Sequence, residues 1–395
     1  MTISQLSTEQ RQAAEAILNW LKNGGDKPFL LGGYAGTGKT TLMAIIRLIL
    51  LKKKPKLSAA FASFTGKATR VLAKKLKDYN SLAKQDSVST LHSLMYSPVF
   101  SSDGQISHWV RKAEIPYDLL FVDEASMISS EMWRDIQSLQ LPILAVGDHG
   151  QLPPINSRQS ILANANFYLE KIHRQAQDSP ILKVAQLARE TGKIPIQNFG
   201  AGVEKFNLQS SDSLMMIDSL FQSWQPENLF LTGFNHSRIK INQAIRDAQY
   251  RHPEKPEKGD KVVCLKNDWE KGIFNGMTGF IQSISPDPDS LADWPRWLAT
   301  IVDEDSQVLY QGPVAAKQFN SLTTLPITKK QLASTGQLFD YGYALTVHKA
   351  QGSEAPKVVV IEERSKHVSD EDWCRWLYTA VTRAERELFI FGRPS

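Results

Sequence analysis

The stretch PFLLGGYAGTGKTTLMAIIRLILL, Pro28 to Leu51, decides how this chain is read. A short apolar run leads into a glycine-rich turn, and a long helical pattern follows. Within it GYAGTGKT, Gly33 to Thr40, has the layout of a phosphate-binding loop. Its glycines let backbone N–H groups face phosphate oxygens, and the positive end of the following helix adds to their pull. Gly33, Ala35, Gly36, Thr37, Gly38, Lys39, Thr40 and Thr41 form the expected nucleotide-contact set. Lys39 is expected to meet the β and γ phosphates of ATP, and Thr40 to hold Mg²⁺ through its hydroxyl.

The chain around this loop has 395 residues, room for about two or three cores. Its hydrophobic fraction of 42% and charged fraction of 22% are those of a soluble globular protein. The 46 basic against 41 acidic residues leave a net charge of +5, compatible with a polyanionic partner without diagnosing one. Cys264 and Cys374 are far apart, with no second Cys or His at ligand spacing. Neither a zinc site nor a disulfide framework is implied, and a reducing compartment fits. The N-terminus lacks the layout of a signal peptide and the longest apolar helix is too short to span a bilayer, so the expectation is a cytoplasmic protein without a membrane partner.

From Phe29 onward, the runs FLLGG, LSAAFASF, DLLFVDEAS and LPILAVGD alternate with helical segments. Continuous apolar strands of this kind belong to a parallel sheet covered on both faces. Residues 1–195 read as one α/β domain, opened by an amphipathic helix whose STEQ supplies a capping box of Ser7 with Gln10. SPVFSSDGQISHW, within about 93–116, reads as a hairpin insertion turning at Asp103-Gly104, which pairs Phe100 with Ser107. A second α/β pattern covers 196–270 and 341–395, and the strand-rich segment 271–340 between them reads as a compact β-barrel insertion.

In LLFVDEAS a buried strand ends in Asp123 and Glu124, at the edge where open α/β sheets bind ligands. Asp123 is expected on the Mg²⁺ side and Glu124 to polarise the attacking water. AVGDHGQLPPI is another strand ending in polar residues, where Gln151 could sense the γ-phosphate and Pro153-Pro154 stiffen the exit. These features by themselves specify only a nucleotide hydrolase.

With TGKAT, STLHSL, DEAS, GDHGQLPP, IHRQ, ALTVHKAQGSE and LYTAVTRA in this order, the chain resembles superfamily 1 helicases of the RecD/Dda-like branch. The resemblance implies two RecA-like P-loop domains with ATP between them and single-stranded DNA lying across both. It implies a β-hairpin insertion in the first domain and an SH3-like β-barrel insertion in the second. Gln10 matches the glutamine that reads adenine, while the capping box gives the same residue a structural task. Arg174 of IHRQ and Arg383 of VTRA match the arginines that reach the γ-phosphate; Arg386, one turn on, is the rival that the motif does not favour. Gln351 and Glu354 carry over as nucleotide-side contacts.

For the DNA track, Thr65, Lys67, His92, Pro153, Thr346, His348 and Lys349 match family positions facing the strand. Hydroxyl, imidazole and ammonium groups bind phosphates and sugars without reading bases, as a sequence-independent motor requires. Phe100, in the place of the branch's strand-separating pin, could stack on the parting bases. Thr69 stands where the family commonly has a second alanine.

The function implied is an ATP- and Mg²⁺-dependent helicase that moves 5′ to 3′ on single-stranded DNA and opens duplex at single-strand/double-strand junctions. It would work as a monomer in the cytoplasm, at a nucleoid or as a phage protein in its host, with a single-strand-binding or replication or recombination protein as a possible partner. An RNA-directed helicase and an ATP-switched clamp-like module that never travels are the alternatives.

Overall fold

The computed structural model describes residues 6–100, 106–154, 160–171, 179–268, 271, 273 and 275–394. For positions 67, 98, 100, 106–109, 329, 330 and 333 it describes the backbone alone.

The first unit is built on a parallel six-stranded sheet. Its strands are β1 (Phe29–Gly33), β2 (Ala59–Ser63), β3 (Ser87–Thr90), β6 (Leu119–Asp123), β7 (Ile143–Gly147) and β8 (Phe167–Leu169), in the order β3-β2-β6-β7-β1-β8. The apolar runs are continuous because both faces are covered. Leu119 and Phe121 of β6 join one core with Leu31, Phe61 and Leu144. Leu120 and Val122 join the opposite core with Ala60, Ile143 and Ala145. Phe61 and Phe121 stack in parallel at 4.5 Å.

Between β2 and β6 the alignment sets Ser63 beside Asp123. At the other end of the pair, Ser58 donates to the Asp118 carboxylate from both its N–H and its Oγ, each at 2.8 Å, and Asp118 N–H donates to Ser58 O at 3.0 Å. Those two Ser58 bonds hold the Asp118 carboxyl below its ordinary pKa. Since the strands are parallel, the residues after β1, β2, β6 and β7 all emerge at one edge of the sheet.

Strands β4 (Tyr96–Phe100) and β5 (Ile106–Arg111) form a separate antiparallel pair between β3 and β6. The register corrects the sequence expectation. Phe100 pairs with Ile106 rather than Ser107, because alignment shifts between Val99 and Phe100 and leaves Ser107 as the extra residue of a bulge. Asp103 and Gly104 lie outside the described residues.

The second unit has its own six-stranded sheet, of β9 (Asn198–Gly200), β10 (Val203–Asn207), β11 (Leu229–Thr232), β17 (Ala344–Thr346), β18 (Ala355–Ile361) and β19 (Ala384–Gly392). Their order is β17-β11-β18-β19-β10-β9, with β9 antiparallel and the rest parallel. The two separated α/β segments thus share one sheet. Helix Pro180–Thr191 packs with helix Asp370–Val381 on one face of it, Val184 and Ala188 joining Trp376, Leu377 and Ala380. Helix Pro180–Thr191, inside the segment read as the first domain, thus shares its core with the second sheet.

A five-stranded antiparallel sheet in the order β15-β14-β13-β12-β16 lies between β11 and β17 in sequence. Its strands are β12 (Lys261–Cys264), β13 (Thr278–Pro286), β14 (Arg296–Val302), β15 (Val308–Ala315) and β16 (Phe339–Tyr341). It starts upstream of residue 271, because β12 pairs with both β13 and β16. Both cysteines are free, and Cys264, the last residue of β12, is buried in the core of this sheet with its thiol pushed up to about 11 by desolvation. Among the described residues, no helix is long and apolar enough to cross a membrane.

Candidate active site

The loop leaving β1 takes its shape from glycine. Gly36 and Gly38 sit at φ of 79° and 80°, in the left-handed region that side-chain-bearing residues avoid. Gly38 also provides no capping side chain to helix Lys39–Lys53, so the first N–H groups of that helix are left for a ligand. Thr37 Oγ1 donates to Tyr34 O at 2.8 Å, and Lys39 Nζ donates to Gly33 O and Tyr34 O at 2.8 and 2.9 Å. The lysine thus folds over the loop and braces it.

Gln10 is buried and makes the expected capping box. Its Oε1 accepts from Ser7 N–H and its own N–H donates to Ser7 Oγ, completing the capping box. Its Nε2 donates to Thr37 O at 2.9 Å, tying the first helix to the phosphate loop. One residue earlier, Glu9 accepts from the N–H groups of Glu170 and Lys171, at 3.0 Å each. Those residues precede the segment with Arg174, which lies outside the described residues.

At the end of β6, Thr40 Oγ1 donates to Asp123 Oδ2 at 3.1 Å, and Glu124 N–H donates to Asp123 Oδ1 at 3.0 Å. Glu124 adopts a left-handed backbone, φ 55°, a strain of the kind that collects at functional sites. Burial raises the pKa of both carboxyls. Glu124 is pushed up to about 7 by desolvation first and the Asp123 charge second, while Arg383 is the largest influence holding it down. A carboxyl of this kind is poised to exchange a proton near neutrality.

Arg383 reaches this point from the second unit. It is 3% exposed, its Nε donates to Thr379 O at 3.0 Å, and its other nitrogens donate to Ser353 O and Thr382 Oγ1 at 3.3 Å each. Glu354 is exposed on the same side and adds a small upward push on Glu124.

The loop after β7 is held from both units. Buried Asp148 accepts from Gly150 N–H at 2.9 Å, Gln151 Nε2 at 3.3 Å and Tyr378 Oη at 2.8 Å. Leu152 N–H donates to Thr379 Oγ1, and Gln351 Nε2 donates to the carbonyls of Leu152 and Pro153. Gln351 therefore straps the two units together at the Pro153 turn. Arg189 lies over the Tyr34 ring at 3.7 Å. Asp148, Tyr378, Thr379 and Arg189 were missed as site residues by sequence reasoning, although GDHGQLPP and LYTAVTRA contain three of them.

Of the strand-track candidates, Thr65 lies at the same seam. Thr65 Oγ1 caps helix Gly66–Asp78 by accepting from Ala68 N–H, and lies 3.5 Å from Gly352 O in the second unit. Lys67 occupies the first turn of that helix. Thr69 Oγ1 donates to Thr65 O at 2.8 Å and reaches Ser89 O at 3.5 Å, so this departure from the family pattern joins the helix to β3. His92 stacks on Tyr96 at 4.9 Å, and burial lowers its pKa to about 4. Thr346 ends β17, and its carbonyl accepts from Lys349 N–H in the turn that exposes His348. Desolvation, with Arg238 nearby, lowers Lys349 to about 8.

A family model described as AAA domain matches residues 5–207, about half the chain, and one described as UvrD-like helicase C-terminal domain matches 341–391. The ATP-dependent RecD2 DNA helicase of Deinococcus radiodurans is 28% identical over 414 residues, covering 99% of this chain and 49% of its own length. The RecBCD enzyme subunit RecD of Mycobacterium tuberculosis is 23% identical, covering 97% of this chain and 69% of its own. The chain thus spans about half the length of the RecD2 relative. A crystal structure of a Bacteroides Pif1 helicase with ADP-AlF3 and single-stranded DNA shares the fold, with a TM-score of 0.50, 18% identity, and coverage of 97% of this chain and 92% of that one. The chain belongs to the AAA-domain family, and its relatives support a superfamily 1 helicase of the RecD/Pif1-like kind.

Proposed function

We propose that this protein is an ATP-driven motor that moves 5′ to 3′ on single-stranded DNA and separates duplex strands at single-strand/double-strand junctions. The observation that carries the reading is Arg383: from the second unit it holds down the Glu124 carboxyl of the first, across a seam where Tyr378 also bonds the phosphate loop. In this reading the units are RecA-like domains, and ATP between them draws Arg383 and Arg174 toward its phosphates. Closure and reopening then alternate the grip of the strand track.

The named relatives are DNA helicases, which supports this assignment of substrate. Gln10 and the loop from Gly33 to Thr41 would hold the nucleotide, and Glu124 would orient the attacking water. Thr40 Oγ1 and Asp123 Oδ2 are hard oxygen donors already within hydrogen-bond distance, a set that suits Mg²⁺. The ion would neutralise phosphate charge when bound. Gln151, held through Asp148, would sense the γ-phosphate, and Gln351 and Glu354 would line the same side.

Thr65, Lys67, His92, Pro153, Thr346, His348 and Lys349 would touch phosphates and sugars. The hairpin of β4 and β5 would be the separating pin, with Phe100 at its end, and the five-stranded insertion an SH3-like barrel. A monomer suffices for this cycle, and a single-strand-binding or replication or recombination protein could meet it on DNA.

Duplexes with a 5′ or a 3′ overhang, assayed for strand separation beside ATP hydrolysis with DNA and RNA oligonucleotides, test the proposal. Opening of the 5′-tailed duplex with DNA-stimulated hydrolysis is expected. Hydrolysis insensitive to oligonucleotide, with no strand separation, would leave a nucleotide switch instead.

A further inference from the structure

Tyr378 lies on helix Asp370–Val381 of the second unit, yet both hydrogen-bond partners of its hydroxyl belong to the first. The oxygen accepts from Ala35 N–H, inside the phosphate loop, at 2.8 Å, and donates to Asp148 Oδ2 at 2.8 Å. Its ring meets Tyr34 edge-on at 6.0 Å. A buried tyrosine needs a partner for its hydroxyl, and a buried carboxylate needs several donors. Here each supplies the other, and burial raises the phenol pKa so that the proton stays on oxygen.

The same carboxylate holds Gln151, through its Nε2. On the tyrosine's side, Tyr378 O accepts from Thr382 Oγ1 and Thr379 O accepts from Arg383 Nε. One hydroxyl therefore joins three parts: the phosphate loop, the turn bearing Gln151, and the helix end bearing Arg383. If the units part at this point, Asp148 loses a donor while still surrounded by protein. Arg383 approach and Gln151 orientation then become one event.

We propose that Tyr378 is a positioning residue for ATP hydrolysis, its hydroxyl setting Arg383 and Gln151 in place together against the phosphate loop. The proposal rests on the reading of the seam as an ATP site. Its test is steady-state ATP hydrolysis at saturating oligonucleotide, with KM for ATP and thermal stability measured on the same samples.

Tyr378→Phe keeps the ring and removes the bonds. A charge-assisted hydrogen bond of this kind is worth roughly tenfold to a hundredfold, so kcat should fall by about tenfold or more while KM stays within about twofold. Asp148→Ala, made from the other unit, should lower kcat at least as much. Adding Tyr378→Phe to it should lower kcat by less than it does in the parent, because the shared bond is already gone and only the Ala35 bond remains to be lost.

A Tyr378→Phe kcat within twofold of the parent would overturn the proposal, as would losses in kcat and stability that multiply fully in the double variant. Should Tyr378→Phe fail to fold, an unchanged kcat in Asp148→Ala overturns it alone. A parent enzyme that hydrolyses ATP without stimulation by DNA would remove the motor reading instead, leaving the Tyr378 comparison intact on basal turnover.

Discussion

Replacing Arg383 by glutamine removes the guanidinium charge that the second unit contributes at Glu124 and leaves a shorter, neutral side chain with an amide donor. The arginine is buried and anchored by Thr379 O, Ser353 O and Thr382 Oγ1. Arginines that stabilise phosphoryl-transfer charge are worth about 10³ to 10⁵ in rate. Arg383→Gln should therefore lower kcat at least about 10³-fold, equivalent to about 4 kcal/mol of barrier.

A second effect follows from the same contact. Burial and Asp123 already push Glu124 up to about 7, and Arg383 is the largest opposing influence. A water-polarising carboxylate must be ionised, so kcat of the parent should rise with pH through about 7. In Arg383→Gln that rise should move to higher pH. Stopped-time ATP hydrolysis across pH, with DNA saturating, measures both. A loss under tenfold, or a midpoint that does not move, would refute the placement of Arg383 against Glu124.

Glu124→Gln should abolish the rise near pH 7 and leave a slow, flat profile. The variant also tests linkage: the folded state holds the Glu124 proton above its ordinary pKa of 4.5, so the group's stability contribution is present below that pH and lost as pH rises through about 7. Urea titrations of parent and variant should diverge over that window. Gly352→Ala sets a Cβ against the Met127 side chain at φ 72°, which should cost about 1–3 kcal/mol by chemical denaturation and weaken single-stranded DNA binding if Thr65 faces the strand as proposed. Phe100→Ala should impair strand separation while sparing DNA-stimulated ATP hydrolysis, and equal loss of both would remove the pin assignment.

What could be read beforehand was local. The phosphate loop, the Ser7–Gln10 box and the four buried strands each announce themselves within a few residues, because glycine conformations, caps and apolar runs are short-range physics. The order of motifs supplied the family and most of the gathered side chains. The Tyr378 bond to Ala35 spans 343 positions, and nothing near either residue encodes it. The side taken by helix Pro180–Thr191 is similar: its apolar face suits either core, and only the match to Trp376 and Leu377 decides. The Phe100 register was missed because a bulge adds a residue without changing composition.

Strand β6 is apolar on both faces, so greasy patterning cannot tell its correct alignment from one displaced by a single position. A displaced strand would still be wrapped, but Asp123 would point at the wrong side of the sheet and lose Thr40. The Ser58–Asp118 clasp, at the opposite end of the strand pair from Asp123, adds to the cost of the wrong alignment. Weakening that clasp would loosen the alignment that sets Asp123 against Thr40, a change that a melting curve alone would overlook.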